Sequence, residues 1–176
     1  MFKLIIVRHG QTIENQKNIC QGQSEGVLSE MGKKENKILA KRLSHYKIDA
    51  LFASPLKRAI ETGIEIIKYH ENLVLQIDHR LMERDMGILQ GRTFPEAYTM
   101  SASYEGMESL DDVKLRLSHL LSDLEKRHRD QTILLLSHGV TIVILIALLR
   151  NSPLTDIDQI GLIDNSSLIE HAYGEK

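Results

Sequence analysis

Short apolar runs alternate with longer stretches in which apolar residues recur every three or four positions, and the alternation persists along the whole chain. KLIIV (residues 3–7), closed by Arg8-His9-Gly10, has the pattern of a buried central strand. Ser29 is placed to cap a helix that carries Leu39, Leu43 and Tyr46 at helical spacing. IDALFAS (48–54) predicts a second strand, and Ser54-Pro55 then predicts a cap with proline in the first helical position, where its missing N–H is no loss. The helix from Leu56 sets Ile60, Ile64 and Ile67 on one face, and LVLQI (73–77) predicts a third strand. Residues 78–108, rich in Gly, Glu, Arg and Met, hold no sustained period and form the one long irregular region, of the kind that usually carries function. Ser109 to about Arg129 predicts an amphipathic helix with Val113, Leu117, Leu120, Leu121 and Leu124 in a stripe. TILLL, interrupted by Ser137-His138-Gly139 and followed by VTIVILIALL, predicts a buried strand, a turn and a buried helix. IGLI (160–163) and SSLIEHAY (166–173) predict two closing strands at a sheet edge.

Strand–helix alternation of this kind predicts an α/β fold: a three-layer α/β/α sandwich on a mostly parallel central sheet, with an antiparallel edge strand. At 176 residues the chain is expected to form a single domain over residues 1–176. A domain of that size buries roughly 70% of the surface its unfolded chain exposes, enough to stand without disulfides or a structural metal. The stretch from Thr132 to Leu149 lacks Asp, Glu, Lys and Arg but breaks in the middle, so it reads as core and not as a membrane span, which takes about 20 apolar residues. The apolar run before Arg8 is too short for a signal peptide and the chain has 1 Cys, so a reducing, cytoplasmic setting is expected. Lys and Arg total 22 against 24 Asp and Glu, and aromatics are 5% with no Trp. That composition supplies neither a basic groove nor a stacking platform, and nucleic acid and membrane are not expected partners.

Ligands of open α/β sheets gather at the carboxyl ends of the strands. Here the first strand ends in Arg8-His9-Gly10-Gln11-Thr12, and the second ends near Ser54 with Arg58 one turn into the next helix. The third feeds the loop holding Glu83-Arg84, and the fourth ends in Ser137-His138-Gly139. A parallel sheet brings two histidines, two or three arginines and one glutamate to a single rim. No HExxH, CxxC or Asp-rich loop accompanies them, so no metal and no cofactor is expected. Imidazoles and guanidiniums without metal-ligand spacing suit a dianion, phosphate first, because arginine matches its oxygens in a bidentate fork. His45, His70, His79, His119, His128 and His171 show no ligand spacing and are expected in solvent, and Cys20 is expected to be inert.

R8-H9-G10-Q11-T12 after one strand and S137-H138-G139 after another resemble the histidine phosphatase (phosphoglycerate mutase-like) superfamily, phosphatase branch. The resemblance continues through Asn15, Q21-G22 followed by L28-S29-x-x-G32, S54-P55-L56-K57-R58-A59-I60-E61-T62, L81-M82-E83-R84-D85-M86-G87-I88-L89-Q90-G91, and G106-M107-E108-S109, in the family's order and at plausible spacing. It implies that His9 is the nucleophile and forms a phosphohistidine. Arg8, Arg58 and a cationic His138 then hold the phosphate oxygens. Gly10 allows close backbone approach to phosphate, Gly139 offers the free N–H groups of a helix start, and Asn15, Gln21, Gly22 and Arg84 add substrate contacts. Glu83 is the expected general acid and then base, a role that asks one carboxyl both to give and to take a proton. On the residues alone, Asp85 and Glu108 compete with it.

Within that family the alternative is a cofactor-dependent phosphoglycerate mutase, which needs an extended cover to keep water out. Only 45 residues separate Gly91 from Ser137 and only 11 follow Asn165, so a water-accessible site and hydrolysis are expected. Met86 stands where the family usually has an aromatic residue, and Glu25 where it often has Asp. The expected activity is metal-independent hydrolysis of a small phosphorylated metabolite (a sugar phosphate, a phosphoglycerate-like ester or a broad set). Arg80, Arg84 and Arg92 are candidates for a second anionic group. A monomer or homodimer is expected, and a non-catalytic phosphate-binding domain is the reading from another class.

Overall fold

In the computed structural model, which describes residues 2–174, the first apolar run extends over Phe2–Arg8 as β1. A single turn, α1 (Ile13–Gln16), follows without an apolar signal in the sequence; a capping box builds it, Thr12 Oγ1 accepting the Asn15 N–H and Asn15 Oδ1 accepting the Thr12 N–H. α2 (Glu30–Leu43) begins as expected at Ser29, whose hydroxyl accepts the Gly32 N–H at 3.0 Å. Gly32 is small for a reason outside its helix: a Cβ there would lie 2.0 Å from the Gln11 carbonyl oxygen, so the helix start can rest on the loop that leaves β1. The remaining elements are β2 (Ala50–Ala53), α3 (Lys57–Ile67), β3 (Leu75–Ile77), α4 (Leu110–Arg127), β4 (Thr132–Ser137), α5 (Gly139–Leu149), α6 (Ile157–Ile160) and β5 (Leu168–Tyr173).

The five strands form one sheet in the order β3-β2-β4-β1-β5, with every pair parallel except β1 and β5. β1 and β4 are buried on both faces, which is why they read as continuous apolar runs. Their alternating residues feed two cores. Leu4, Ile6, Ile133 and Leu135 join Leu117 and Leu120 of α4 and the residues of α5. Ile5, Val7, Leu134 and Leu136 meet Leu39 and Leu43 of α2 and Ala59 and Ile66 of α3. Helices thus cover both faces of a mostly parallel sheet with an antiparallel edge strand, as the alternation predicts. α5 is buried on nearly all sides and accounts for the long uncharged stretch. Among the described residues no helix is long and apolar enough to cross a membrane.

Four expectations are corrected. Ser54 does not cap α3 and Pro55 is not its first residue: the helix starts at Lys57 with Leu56 in the cap position, and the Ser54 hydroxyl accepts the Leu56 N–H at 3.3 Å while bonding a residue from another strand end. The core face of α3 is Ala59, Thr62, Gly63 and Ile66, with Ile64 exposed and Ile60 and Ile67 half-buried. Small residues win that face since the helix lies close on the sheet; a Cβ on Gly63 would fall 2.7 Å from Leu75 Cδ1. IGLI is not a strand: Ile160 ends α6, and Gly161 turns the backbone at φ +75°. Finally, His128 is not free in solvent but packs edge-on against Phe52, and His70 and His171 are half-buried. The irregular region holds two single 3-10 turns, His79–Leu81 and Gly87–Leu89, and is anchored by Met86 and Leu89 packing with Cys20, Phe94 and Tyr98.

Candidate active site

The parallel register decides where the chemistry sits. β1 and β4 pair through Arg8 and Ser137, so the next residues of each strand, His9 and His138, leave the sheet side by side. Their ring centroids are 5.0 Å apart, with planes inclined at 53°. β2 ends one strand away, where the Ser54 N–H donates to the Leu136 carbonyl and Ser54 Oγ lies 2.7 Å from His138 Nε2. A cleft of about 540 Å³, open space included, lies over these strand ends. Arg8, His9, Asn15, Arg58, Glu83 and Gly139 line its polar part, with Gln21 and Gly22 at the side.

His9 is buried, and its Nδ1 is 2.7 Å from the Gly10 carbonyl oxygen. A carbonyl only accepts, so the ring hydrogen belongs on Nδ1 and Nε2 keeps its lone pair. Burial, then the charges of Arg58 and Arg8, hold the His9 pKa well below the usual histidine value. Arg58 is fully buried; its Nη1 and Nη2 donate to the carbonyls of Ser24 (2.8 Å) and Gly22 (2.7 Å). Burial lowers its pKa to about 10, which leaves it charged at neutral pH. Arg8 Nη1 donates to the Ile163 carbonyl at 2.5 Å. Nε of both arginines is buried and has no hydrogen-bond partner among the described residues.

Glu83 is the one carboxylate lining the cleft among the described residues. Its Oε1 accepts the Arg84 N–H (2.9 Å) and the Thr141 N–H (3.0 Å), Oε2 accepts the Val140 N–H (3.2 Å), and the single Thr141 hydroxyl hydrogen is shared between the Met82 carbonyl (2.8 Å) and Glu83 Oε1 (3.0 Å). Glu83 therefore caps α5 from outside its own segment, a task that His138, in the cap position, does not perform with its side chain. Glu108 instead pairs with Arg116 at 2.8 Å, and Asp85 accepts the Gly87 N–H. Neither lines the cleft.

Four expectations about the site change. His138 is not among the residues lining the cleft, and burial first, then Arg58, His9 and Arg8, push its pKa well below the usual value, against the cationic form that the resemblance implies. The free N–H groups expected at the start of α5 are largely spoken for, since Glu83 takes those of Val140 and Thr141. Gly10 is not on the cleft wall; a Cβ there would lie 2.4 Å from Asn36 Oδ1, so its smallness serves packing. Arg84 is turned away from the cleft, buried and spent on the carbonyls of Glu108 (2.7 Å), Met100 (2.9 Å) and Ala102 (3.2 Å). Arg80 is tied to Asp78 and Asp123 at 2.7 Å each, and Arg92 is exposed off the lining. The Cys20 thiol, raised by burial and by Glu83 to about 12, is un-ionised at neutral pH.

Sequence reasoning missed Ser54, Thr141 and Asn165. Asn165 Nδ2 donates to the His9 carbonyl at 3.0 Å and to Asn15 Oδ1 at 3.4 Å. With the Thr12 N–H also on Asn15 Oδ1, the amide end of Asn15 is left as its available donor. Among the described residues no three His, Cys, Asp or Glu side chains cluster as metal ligands would.

The match to known proteins agrees with this geometry. The family model described as histidine phosphatase superfamily (branch 1) matches residues 4–176. The chain belongs to that superfamily. Phosphoserine phosphatase 1 of Hydrogenobacter thermophilus is 35% identical over 153 residues, 80% of this chain and 72% of that protein. A metal-independent phosphoserine phosphatase of Arabidopsis thaliana is 32% identical over 154 residues, 78% of this chain and 64% of that one. The solved structure of a mycobacterial glucosyl-3-phosphoglycerate phosphatase with VO3 superposes with a TM-score of 0.88 at 29% identity, covering 96% of this chain and 91% of that one. This histidine phosphatase is a phosphoric monoester hydrolase.

Keeping two imidazoles neutral has a cost that pH reveals. In the unfolded chain His9 and His138 take up protons as pH falls through their usual value of 6.5, while in the native state they resist until well below it. Below 6.5 the unfolded state binds more protons, so native stability falls with falling pH, by up to about 1.4 kcal/mol per pH unit for each histidine. Urea titrations of the ligand-free protein at pH 7.5 and about 5.5 are expected to show that loss, and His138→Asn to reduce its slope. A midpoint that ignores pH across this window would contradict the neutral pair.

Proposed function

We propose that this cleft hydrolyses phosphomonoesters of small metabolites in two in-line steps, without a metal, through a phosphohistidine on His9. The reading is carried by one observation: the Gly10 carbonyl fixes the His9 hydrogen on Nδ1, leaving Nε2 a neutral nucleophile beside the half-buried Arg8 and the buried Arg58. Nε2 attacks phosphorus as the ester P–O bond breaks, and the departing alkoxide takes a proton from Glu83. Glu83, now a carboxylate, accepts a proton from water as the water oxygen attacks phosphorus. The P–N bond then breaks and its electron pair returns to Nε2. The net change is ester plus water to alcohol plus inorganic phosphate.

Charge on the phosphoryl oxygens is met by the two arginines through their free Nε edges, in the place where other phosphoryl-transfer sites use Mg²⁺. His138 enters as a neutral donor. Ser54 Oγ already accepts the Leu56 N–H, so its O–H is available to His138 Nε2, which places the ring hydrogen on the buried, otherwise unpartnered Nδ1. Asn15 adds its amide N–H. The Arabidopsis relative, a metal-independent phosphoserine phosphatase, and the VO3 held by the mycobacterial one support the same chemistry.

The test is turnover of p-nitrophenyl phosphate in excess chelator, followed by rapid quench of labelled substrate. Undiminished turnover, inhibition by vanadate and an acid-labile label on His9 are expected. Activity that vanishes with chelator and returns with a divalent ion would overturn the reading.

A further inference from the structure

Beyond the phosphate-binding end, the cleft changes character. We infer that the substrate's alcohol is uncharged and largely apolar, and that esters carrying a carboxylate are turned over poorly; the inference rests on the phosphatase reading above. The remaining wall is formed by Ile19, Phe94, Tyr98, Met100, Val140 and Leu162, none of which carries charge at neutral pH. Its polar atoms are neutral as well. Burial pushes the Tyr98 phenol up, and its hydroxyl is buried without a hydrogen-bond partner among the described residues, a single handle for a hydroxyl or amide of the alcohol.

The charge count points the same way. Arg8 and Arg58 are the only cations on the lining among the described residues, Glu83 the only carboxylate, and a phosphomonoester dianion uses both guanidiniums. A second anion on the substrate then meets an apolar surface with no counter-charge, and burying an unpaired carboxylate is strongly unfavourable. The arginines that sequence offered for that task are spent elsewhere: Arg84 on three carbonyls, Arg80 on two aspartates.

The wall is also held in place. Met100 is held through both of its backbone groups, Asp158 Oδ1 accepting its N–H at 2.6 Å and Arg84 donating to its carbonyl at 2.9 Å. Phe94 and Tyr98 pack against each other with ring centroids 4.7 Å apart and planes inclined at 48°. A braced aromatic surface favours ligands that present an apolar face, because little has to be ordered when they bind.

The decisive comparison uses esters that differ in the alcohol alone: kcat/KM for 3-phenylpropyl phosphate, glycerol 3-phosphate and 3-phosphoglycerate, all with primary alkoxide leaving groups. Turnover is expected to fall in that order, with glycerol 3-phosphate favoured over 3-phosphoglycerate by on the order of 10²-fold. Leu162→Arg places a cation at a wall position that is 52% exposed and tolerant of charge. It is expected to raise the ratio of 3-phosphoglycerate to glycerol 3-phosphate about tenfold; reading a ratio cancels any loss common to both. Wild-type protein that hydrolyses 3-phosphoglycerate or phosphoserine as fast as the neutral esters would overturn the inference while leaving the phosphatase reading intact. Failure to hydrolyse any ester, p-nitrophenyl phosphate included, would sink that reading instead.

Discussion

His9→Ala is expected to lower turnover of p-nitrophenyl phosphate by on the order of 10⁶-fold, the scale seen when a nucleophile is removed from a hydrolase. No neighbour can replace it. The Cys20 thiol is un-ionised, and His138 Nε2 is held by Ser54. The variant should nonetheless fold. The backbone bonds that fix position 9, its N–H to the Ser137 carbonyl and its carbonyl from Asn165 and Ser166, do not involve the ring. Removing the imidazole also leaves Arg8 and Arg58 in place, so the variant should still bind inorganic phosphate, seen as a rise in melting temperature with added phosphate. Inactivity with intact phosphate binding separates the loss of a nucleophile from the loss of a site. More than a few per cent of residual turnover would remove His9 from that role.

What the sequence showed and what it hid follow from the range of the interactions. The meeting of His9 and His138 was legible because each ends an apolar run, and a parallel register sets such ends side by side. Glu83 was one of three carboxylates in a segment without a period; only the fold shows that Glu108 belongs to Arg116 and Asp85 to the Gly87 N–H. Arg84 is the instructive failure. An arginine next to an acid in a loop reads equally as a ligand or as a brace, and three carbonyls up to 24 residues away settle it. Ser54 failed for the same reason, since Ser-Pro carries the local signature of a helix start while its hydroxyl bonds a residue 84 positions away. On α3 two apolar stripes compete, and the bulkier one loses because the helix sits too close to the sheet for it.

Glu83→Gln is expected to slow alkyl phosphates by about 10²–10⁴-fold, the usual worth of positioned acid–base help. The carboxamide has no proton to give an alkoxide, so the first chemical step fails for such esters. A p-nitrophenolate leaves without that proton, and phosphorylation of His9 by p-nitrophenyl phosphate should survive. The second step still lacks its base. The variant should therefore release a burst of nitrophenolate close to one equivalent per site and then turn over slowly, with the phosphohistidine accumulating. The substitution has a structural side too. Glutamine keeps one oxygen for Thr141, but its amide group then sets a donor against the Val140 N–H that the second oxygen accepts in the wild type. Weakening that cap on α5 is expected to cost about 0.5–2 kcal/mol of stability. A loss of that kind is read in the melting temperature and is the same for every substrate. The split between alkyl and nitrophenyl esters is not, and so a uniform loss across leaving groups without a burst would reduce Glu83 to the helix cap that it also is.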